Sequence, residues 1–137
     1  MKKIIVFLFA VLLISVSATA QQAPRLLTTT SYGNTLDTVL STATKVTTAA
    51  AGVVSNFRIG VTAHVIVTKI SGTVGGTLAF QGSMDGVNFS TIGSAATPSD
   101  ATANYSFNTT VGWRFYRISY TGSTGQSASF KSYLYPY

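Results

Sequence analysis

Residues that could carry out chemistry are scarce in this sequence. It has one His, no Cys, no Glu and three Asp in 137 residues. Hydrolysis and group transfer usually need a nucleophile beside a base, a pair of carboxylates, or a metal ion. His64 falls on the polar side of a predicted strand, where an ordinary surface histidine is the simpler interpretation. The sequence therefore predicts no catalytic residue and no enzyme.

The three carboxylates also limit the possibilities for metal binding. Zinc sites are built from several His or Cys ligands, which this chain cannot supply. Asp85 and Asp100 fall in predicted turns, where an Asp usually caps its own backbone. Backbone carbonyls could supplement either Asp to hold calcium, so calcium stays an alternative to the expected absence of metals and cofactors.

The dipeptide Asp85-Gly86 predicts a hairpin turn. A two-residue turn needs positive φ at its centre, which Gly86 adopts without a Cβ penalty and Asp85 tolerates. Strand 77–83 should then fold back onto a strand at residues 88–92. We assign this turn to specifying the fold rather than to contacting a ligand.

Aromatic side chains are concentrated near the C-terminus. If Tyr116, Ile118 and Tyr120 face a core, strand alternation turns Trp113 and Phe115 to the opposite face. Aromatic rings beside an Arg can stack on sugars or bind another protein. The alternative is that a two-sheet core or a self-assembly contact uses these rings. The candidate ligand-binding residues are Trp113, Phe115, Arg117 and Tyr133.

The elements that position these residues are predicted to be strands. Residues 57–68 alternate between an apolar and a mostly polar face, as in a sheet that covers a core on one side. The alternation breaks at Lys69-Ile70, which predicts a strand end or a bulge. Further short strands are separated by turns rich in Gly and Ser, and no sustained helical period occurs. The predicted fold is all-β, a single antiparallel β-sandwich of jelly-roll type with seven or eight strands.

The first residues have the layout of a secretory signal peptide. Lys2 and Lys3 precede an apolar run at residues 4–14, and Ala18-Thr19-Ala20 fits the cleavage rule. That run is shorter than the roughly 18 to 20 residues needed to cross a bilayer, and no membrane span is expected. We predict a signal peptide at residues 1–20, an extended N-terminal segment at 21–35 and the β-sandwich at 36–137. The protein should be secreted or displayed at a cell surface.

Net charge indicates which partners the protein could bind, and cysteine content indicates what stabilises it. Removal of Lys2 and Lys3 leaves seven basic residues against three Asp, a net charge of +4. These basic residues are scattered along the chain, whereas nucleic-acid binding needs a cluster, so no nucleic-acid partner is predicted. Without cysteine, an exported chain must depend on its core, its sheet hydrogen bonds or assembly.

Two segments carry a resemblance to known families. Residues 78–92, with Ser83-Met84-Asp85-Gly86-Val87-Asn88-Phe89, resemble the S-x-D-G-x-N-W strand pair of discoidin-like domains, although Phe89 replaces the usual Trp. Residues 113–118 resemble the R-Y-x-R-I strand of the same domains. With the turn at 121–127, both elements are also similar to small β-sandwich virion proteins of tailed phages. The resemblance covers about residues 77–135 and implies a glycan-binding or adhesion module, or a virion surface part, of bacterial or phage origin.

Two functions follow from these observations. The leading hypothesis is a secreted, non-catalytic module that binds a surface glycan or another surface ligand, such as a protein. The alternative is a structural subunit of an extracellular filament, surface layer or phage virion. Thr-rich edge strands, few charges and no disulfides would suit burial of sheet edges between copies.

Overall fold

Two β-sheets make up the described part of the protein. The computed structural model describes residues 25–27, 37–47, 50–51 and 60–136. Sheet 1 consists of β1 (Arg25–Leu27), β2 (Asp37–Leu40), β5 (Val61–Ser71), β8 (Ala103–Thr109) and β10 (Ser127–Pro136). Sheet 2 consists of β3 (Thr44–Val46), β4 (Ala50–Ala51), β6 (Thr77–Ser83), β7 (Ser90–Thr91) and β9 (Phe115–Thr121). Within these ranges, no helix is long and apolar enough to cross a membrane.

The strand order is that of a jelly roll. Sheet 1 contains the order β2-β10-β5-β8 and sheet 2 the order β3-β9-β6-β7, with every pair antiparallel. Strand β1 pairs with β10 on the same side as β2 and extends that edge of sheet 1. In the same way, β4 pairs with β9 beside β3 and extends that edge of sheet 2. The predicted antiparallel sandwich is therefore confirmed, with eight strands in the jelly-roll order. Strand β1 lies within segment 21–35, and the predicted signal peptide lies outside the described residues.

Strand β5 shows how alternation directs side chains in sheet 1. Val61, Ala63, Val65 and Val67 are buried, as predicted, while residues 57–59 of the predicted strand lie outside the described part. Against β10, the register shifts so that Ser127 and Ala128 pair with Ser71 and Lys69. Ile70 is skipped and exposed, so the expected bulge is present where the alternation breaks.

The core lies between the inner faces of the two sheets. Phe80 of β6 stacks on Tyr116 of β9, with ring centroids 5.5 Å apart, and lies 6.3 Å from Phe107 of sheet 1. Tyr120 of β9 meets Phe130 of β10 edge to face at 5.8 Å. The side chains of β9 and β10 that face the core are buried. They are Tyr116, Ile118 and Tyr120, which the sequence groups on one face, and Ala128, Phe130 and Leu134.

A buried amide closes one end of the sandwich. The Gln126 amide donates to the Tyr120 hydroxyl at 3.0 Å and accepts the Gly75 N–H at 2.8 Å. The Tyr120 hydroxyl donates in turn to the Gly75 carbonyl at 3.0 Å. The backbone carbonyl of Gln126 accepts the backbone N–H of Ser41 at 2.9 Å, which connects a third loop to the network. Because each buried side-chain polar atom here has a partner, the hydrogen bonds offset the cost of desolvation, and the network connects three loops.

Trp113 closes the opposite side of the core, contrary to the outward position expected from alternation. It precedes β9, so the strand's alternation does not extend to it, and its ring packs against the hydrophobic core. A Cβ added to Gly82 on the inner face of β6 would lie 2.5 Å from the indole. The backbone N–H of Trp113 also donates to the Tyr116 hydroxyl at 2.9 Å. Trp113 is therefore a core residue that occupies space left open by a glycine.

Replacement of Trp113 by Ala tests this assignment. We expect Trp113→Ala to lower the free energy of unfolding by about 2 to 4 kcal/mol, because a large partly buried ring leaves a cavity above Gly82. Val111→Ala, at an exposed position two residues away, should change stability by less than about 0.5 kcal/mol. Urea denaturation followed by far-UV circular dichroism measures both. Equal stability of the two variants would contradict the core assignment.

Candidate functional site

The four candidate ligand-binding residues lie on three different parts of the sandwich. Phe115 and Arg117 are on the outer face of sheet 2, and Trp113 is in the core. Tyr133 is on the outer face of sheet 1, where His64 is its partner on β5. Because β9 and β10 belong to different sheets, their outer faces point in opposite directions, and no single aromatic patch forms around Trp113, Phe115 and Tyr133.

Arg117 is held in a defined position on the outer face of sheet 2. Its Nε donates to Oε1 of Gln81, its partner on β6, at 2.7 Å. Its guanidinium carbon lies 3.8 Å from the centre of the Phe89 ring, a close cation–π contact. We call the outer-face group Gln81, Phe89, Phe115 and Arg117 the Arg117 surface.

Phe115 connects the Arg117 surface to the Asp85-Gly86 loop. A Cβ added to Gly86 would meet the Phe115 ring at 3.3 Å. The guanidinium of Arg114 lies 5.5 Å from the same ring. The structure thus brings together four of the sequence-predicted residues: Asp85, Gly86, Phe115 and Arg117.

Gln81 and Phe89 were not among the sequence candidates. Alternation along β6 does place Gln81 outward, and this signal was available. Their contacts with Arg117 depend on the pairing of β6 with β9, which joins residues 36 positions apart for Gln81 and Arg117. No local pattern reveals such a pairing, because the register is set by the packing of the whole sheet.

The Arg117 surface carries the charge of Arg117, with Arg114 beside its Phe115 ring. Partial burial lowers the pKa of Arg117 from its ordinary value, although the group stays protonated at neutral pH. Of the chain's three carboxylates, Asp100 forms an ion pair with Lys69 at 2.7 Å. Asp85 accepts hydrogen bonds from its own loop, and Asp37 belongs to sheet 1. Neither Asp85 nor Asp100 forms an ion pair with Arg114 or Arg117.

The loop after β6 is built around the carboxylate of Asp85. Oδ1 accepts the N–H groups of Val87 and Asn88, each at 2.8 Å, and the Ser83 hydroxyl at 2.7 Å. Oδ2 accepts the Asn88 side-chain amide at 2.6 Å. Hydrogen bonds from the Val87 and Asn88 backbone, then from the Ser83 and Asn88 side chains, hold the pKa of Asp85 well below its usual range.

The prediction of a two-residue hairpin turn at Asp85-Gly86 is wrong in the length of the loop. Residues 84–89 all lie between β6 and β7, and Gly86 has φ +78° as predicted. Ser41 is the only non-glycine residue with positive φ in the described ranges, so Asp85 does not adopt the second positive φ. The Asp85 side chain replaces the backbone hydrogen bond of a tight turn, which allows a longer loop.

The free edge of β8 is a second candidate site. Residues 103–109 pair with β5 in an uninterrupted register, and the described residues place no strand on the other side. Asn104, Ser106 and Asn108 are exposed on the outer face, whereas Tyr105 and Phe107 pack toward the core. This seven-residue strand contains no charged residue and no Pro.

The described residues contain no group of three His, Cys, Asp or Glu that could hold a metal ion. Asp85 directs both carboxylate oxygens to its own loop, and calcium would have to compete with those hydrogen bonds. The expected absence of cofactors, with calcium as its alternative, therefore stays a prediction that melting experiments can test.

Comparisons with known proteins establish a shared fold. The chain matches no protein-family model and no curated protein. The crystal structure of the PBSX exported protein XepA aligns with TM-score 0.58 and 14% identity over 85% of this chain. This chain spans 37% of that protein, and the likeness shows the fold alone.

A second solved structure is described as Bacillus endospore appendages, a novel family of disulfide-linked pili. It aligns over 89% of this chain and 96% of its own length, at 15% identity and TM-score 0.38, which is too low to carry an argument. Neither structure is described as a discoidin-like domain, so that resemblance stays a prediction.

Gly86 should resist substitution for two reasons. Positive φ disfavours any side chain, and a Cβ here would contact Phe115. We expect Gly86→Val to lower the free energy of unfolding by about 1 to 3 kcal/mol. Gly93→Val is a matched control, because Gly93 has φ +67° but nothing within 4 Å of its added Cβ. In thermal melts, a smaller effect at Gly86 than at Gly93 would contradict the contact with Phe115.

Asp85 should make the folding stability depend on pH in the acidic range. Since its pKa is lowered in the folded state, its contribution is present above about pH 4 and is lost as the pH falls toward the folded-state pKa. We expect Asp85→Asn to lower the Tm at pH 7, because its amide cannot accept the Asn88 hydrogen bond as Oδ2 does, and to show a smaller fall of Tm between pH 5 and pH 2 than the wild type. Calcium or chelator should not change the wild-type Tm. A calcium-dependent melt that Asp85→Asn abolishes would instead support a calcium site.

Proposed function

We propose that this chain is an exported, non-catalytic structural subunit that assembles with further copies through the free edge of β8. An extracellular filament, a surface layer or a virion surface would fit this role. The observation that carries the proposal is the length, regularity and lack of protection of the β8 edge.

An unprotected edge strand is unusual in a protein that stays monomeric. In an antiparallel pair, alternate residues of the edge strand direct their N–H and C=O groups away from the partner. Soluble proteins block such edges with Lys, Pro, bulges or short strands. Strand β8 has none of these features, and no other backbone hydrogen bond reaches residues 103–109 from the described part of the chain. A strand from a second copy would supply partners for these groups.

The other described edges offer less to a partner. On sheet 2, β7 has two residues, and β3 and β4 have three and two. On the opposite edge of sheet 1, β1 and β2 have three and four residues. Strand β8 therefore provides the longest continuous row of backbone groups for pairing between copies.

A non-catalytic role is supported by the positions of the titratable groups. His64 is exposed on the outer face of sheet 1, with Tyr133 and Ser106 as its cross-strand neighbours. Asp85 and Asp100 are both engaged, by a loop and by Lys69. Export is supported by the predicted signal peptide and by the fold shared with an exported protein. The glycan-binding hypothesis lacks the aromatic patch on which it was based.

The edge-pairing proposal predicts that charge at β8 blocks assembly. We expect the chain without residues 1–20 to form concentration-dependent oligomers in size-exclusion chromatography with light scattering. Ser106→Lys should shift it to monomer, because a strand cannot approach an edge that carries a lysine. His64→Lys adds the same charge in the same row, one strand away from the edge, and should leave assembly intact.

Two results would contradict the proposal. One is a wild-type chain that stays monomeric at millimolar concentration. The other is equal loss of assembly in Ser106→Lys and His64→Lys, since that would point to general charge repulsion rather than to the edge.

A further inference from the structure

The Arg117 surface has features of an anion-binding site that edge assembly does not require. We propose that it binds the carboxylate groups of an acidic polysaccharide through the guanidinium of Arg117, assisted by Arg114. This site lies on the outer face of sheet 2, whereas β8 is in sheet 1, so this proposal does not depend on assembly.

The Arg117 guanidinium is oriented before any ligand arrives. Gln81 accepts the hydrogen bond from Nε, and the Phe89 ring covers one face of the group at 3.8 Å. The hydrogen bond to Gln81 uses only Nε, and no described residue forms a hydrogen bond with the terminal amino groups of Arg117. A planar guanidinium in a fixed orientation can donate two parallel hydrogen bonds to a carboxylate. The side-chain entropy that binding normally costs is already reduced by these contacts.

Among the carboxylates whose side chains are described, Asp85 and Asp100, neither forms an ion pair with Arg114 or Arg117. The chain has only three Asp, and the two whose side chains are described are bound elsewhere, Asp85 by its loop and Asp100 by Lys69. The charge of Arg117 is partly desolvated and lacks a counter-ion from the described residues. A ligand carboxylate would supply that counter-ion, and partial desolvation strengthens such a pair relative to one in bulk water.

The two arginines near Phe115 and Phe89 favour a ligand that carries several carboxylates. Arg114 and Arg117 are close in sequence at the start of β9, and each contacts an aromatic ring, Phe115 and Phe89. A polysaccharide that carries a carboxylate on successive sugars can reach both cations at once, with sugar rings placed against the aromatic edges. A second copy of this chain is a poor occupant because it offers so few free carboxylates. Nucleic acid would need a larger basic cluster than two Arg.

Affinity electrophoresis in gels containing polygalacturonate tests the proposal. We expect the wild-type chain without residues 1–20 to be retarded by polygalacturonate and not by neutral dextran. Arg117→Ala should weaken binding by roughly tenfold or more, because it removes a charge-assisted bidentate contact. Lys131→Ala removes one exposed positive charge from the outer face of sheet 1, and should change binding by less than about twofold.

A second variant separates loss of binding from loss of folding. Gln81→Glu keeps the contact with Arg117 Nε and the Phe89 stack, but it places a carboxylate beside the guanidinium. We expect it to keep the wild-type Tm and to bind polygalacturonate as weakly as Arg117→Ala, because the internal carboxylate competes with the ligand.

Four results would overturn the proposal. They are a wild-type chain that polygalacturonate does not retard, equal weakening by Arg117→Ala and Lys131→Ala, undiminished binding by Gln81→Glu, and retardation by dextran sulfate alone. The last would assign the surface to sulfate rather than carboxylate. Retardation is taken for each variant relative to its own mobility in a gel without polysaccharide and does not require assembly, so a failure here is distinguishable from a failure of edge assembly.

Discussion

Phe80 lies between Tyr116 of its own sheet and Phe107 of the opposite sheet, and these ring contacts join two sheets that have no covalent cross-link. Fully burying an aromatic side chain contributes roughly 2 to 3 kcal/mol, and the core holds several such rings. In a chain without cysteine, this contact between inner faces takes the place of disulfides. Because packing of the inner faces holds the two sheets together, residues on the outer faces and edges are available for other contacts.

Two polar side chains hold loops that the apolar core does not reach. Gln126 connects three loops at one end, and Asp85 organises the loop after β6. Both use side-chain groups to satisfy backbone donors, which a loop cannot leave unpaired without cost. The Asp85 loop also lies against Phe115, so a feature that specifies the fold supports the Arg117 surface from one side.

The jelly roll separates two surfaces that could act independently. The β8 edge belongs to sheet 1, and the Arg117 surface is the outer face of sheet 2. Copies joined through β8 would leave the outer face of sheet 2 uncovered by that contact. Assembly through the edge would therefore repeat the Arg117 surface along a particle or filament, and a polymeric ligand binds such an array more tightly than a single site.

The sequence by itself determined the fold class and which side of each regular strand is buried. Alternation with a period of two assigned Val61 to Val67 correctly and grouped Tyr116, Ile118 and Tyr120 on one face, because a half-buried strand imposes that period on its residues. It also marked Lys69-Ile70 as a strand end or a bulge, and it predicted the positive φ of Gly86. These features depend on residues close together in the chain, where the physical cause and its sequence signal coincide.

Only the tertiary structure decided where Trp113 points, how long the Asp85 loop is and which residues surround Arg117. Trp113 turns inward because Gly82, on another strand, leaves room for its ring. The loop is long because a side chain, rather than the backbone, accepts its hydrogen bonds. Tyr133 and Phe115 are apart because β9 and β10 enter different sheets. Each outcome depends on contacts between distant segments, and strand register, which sets those contacts, is fixed only when the whole core is packed.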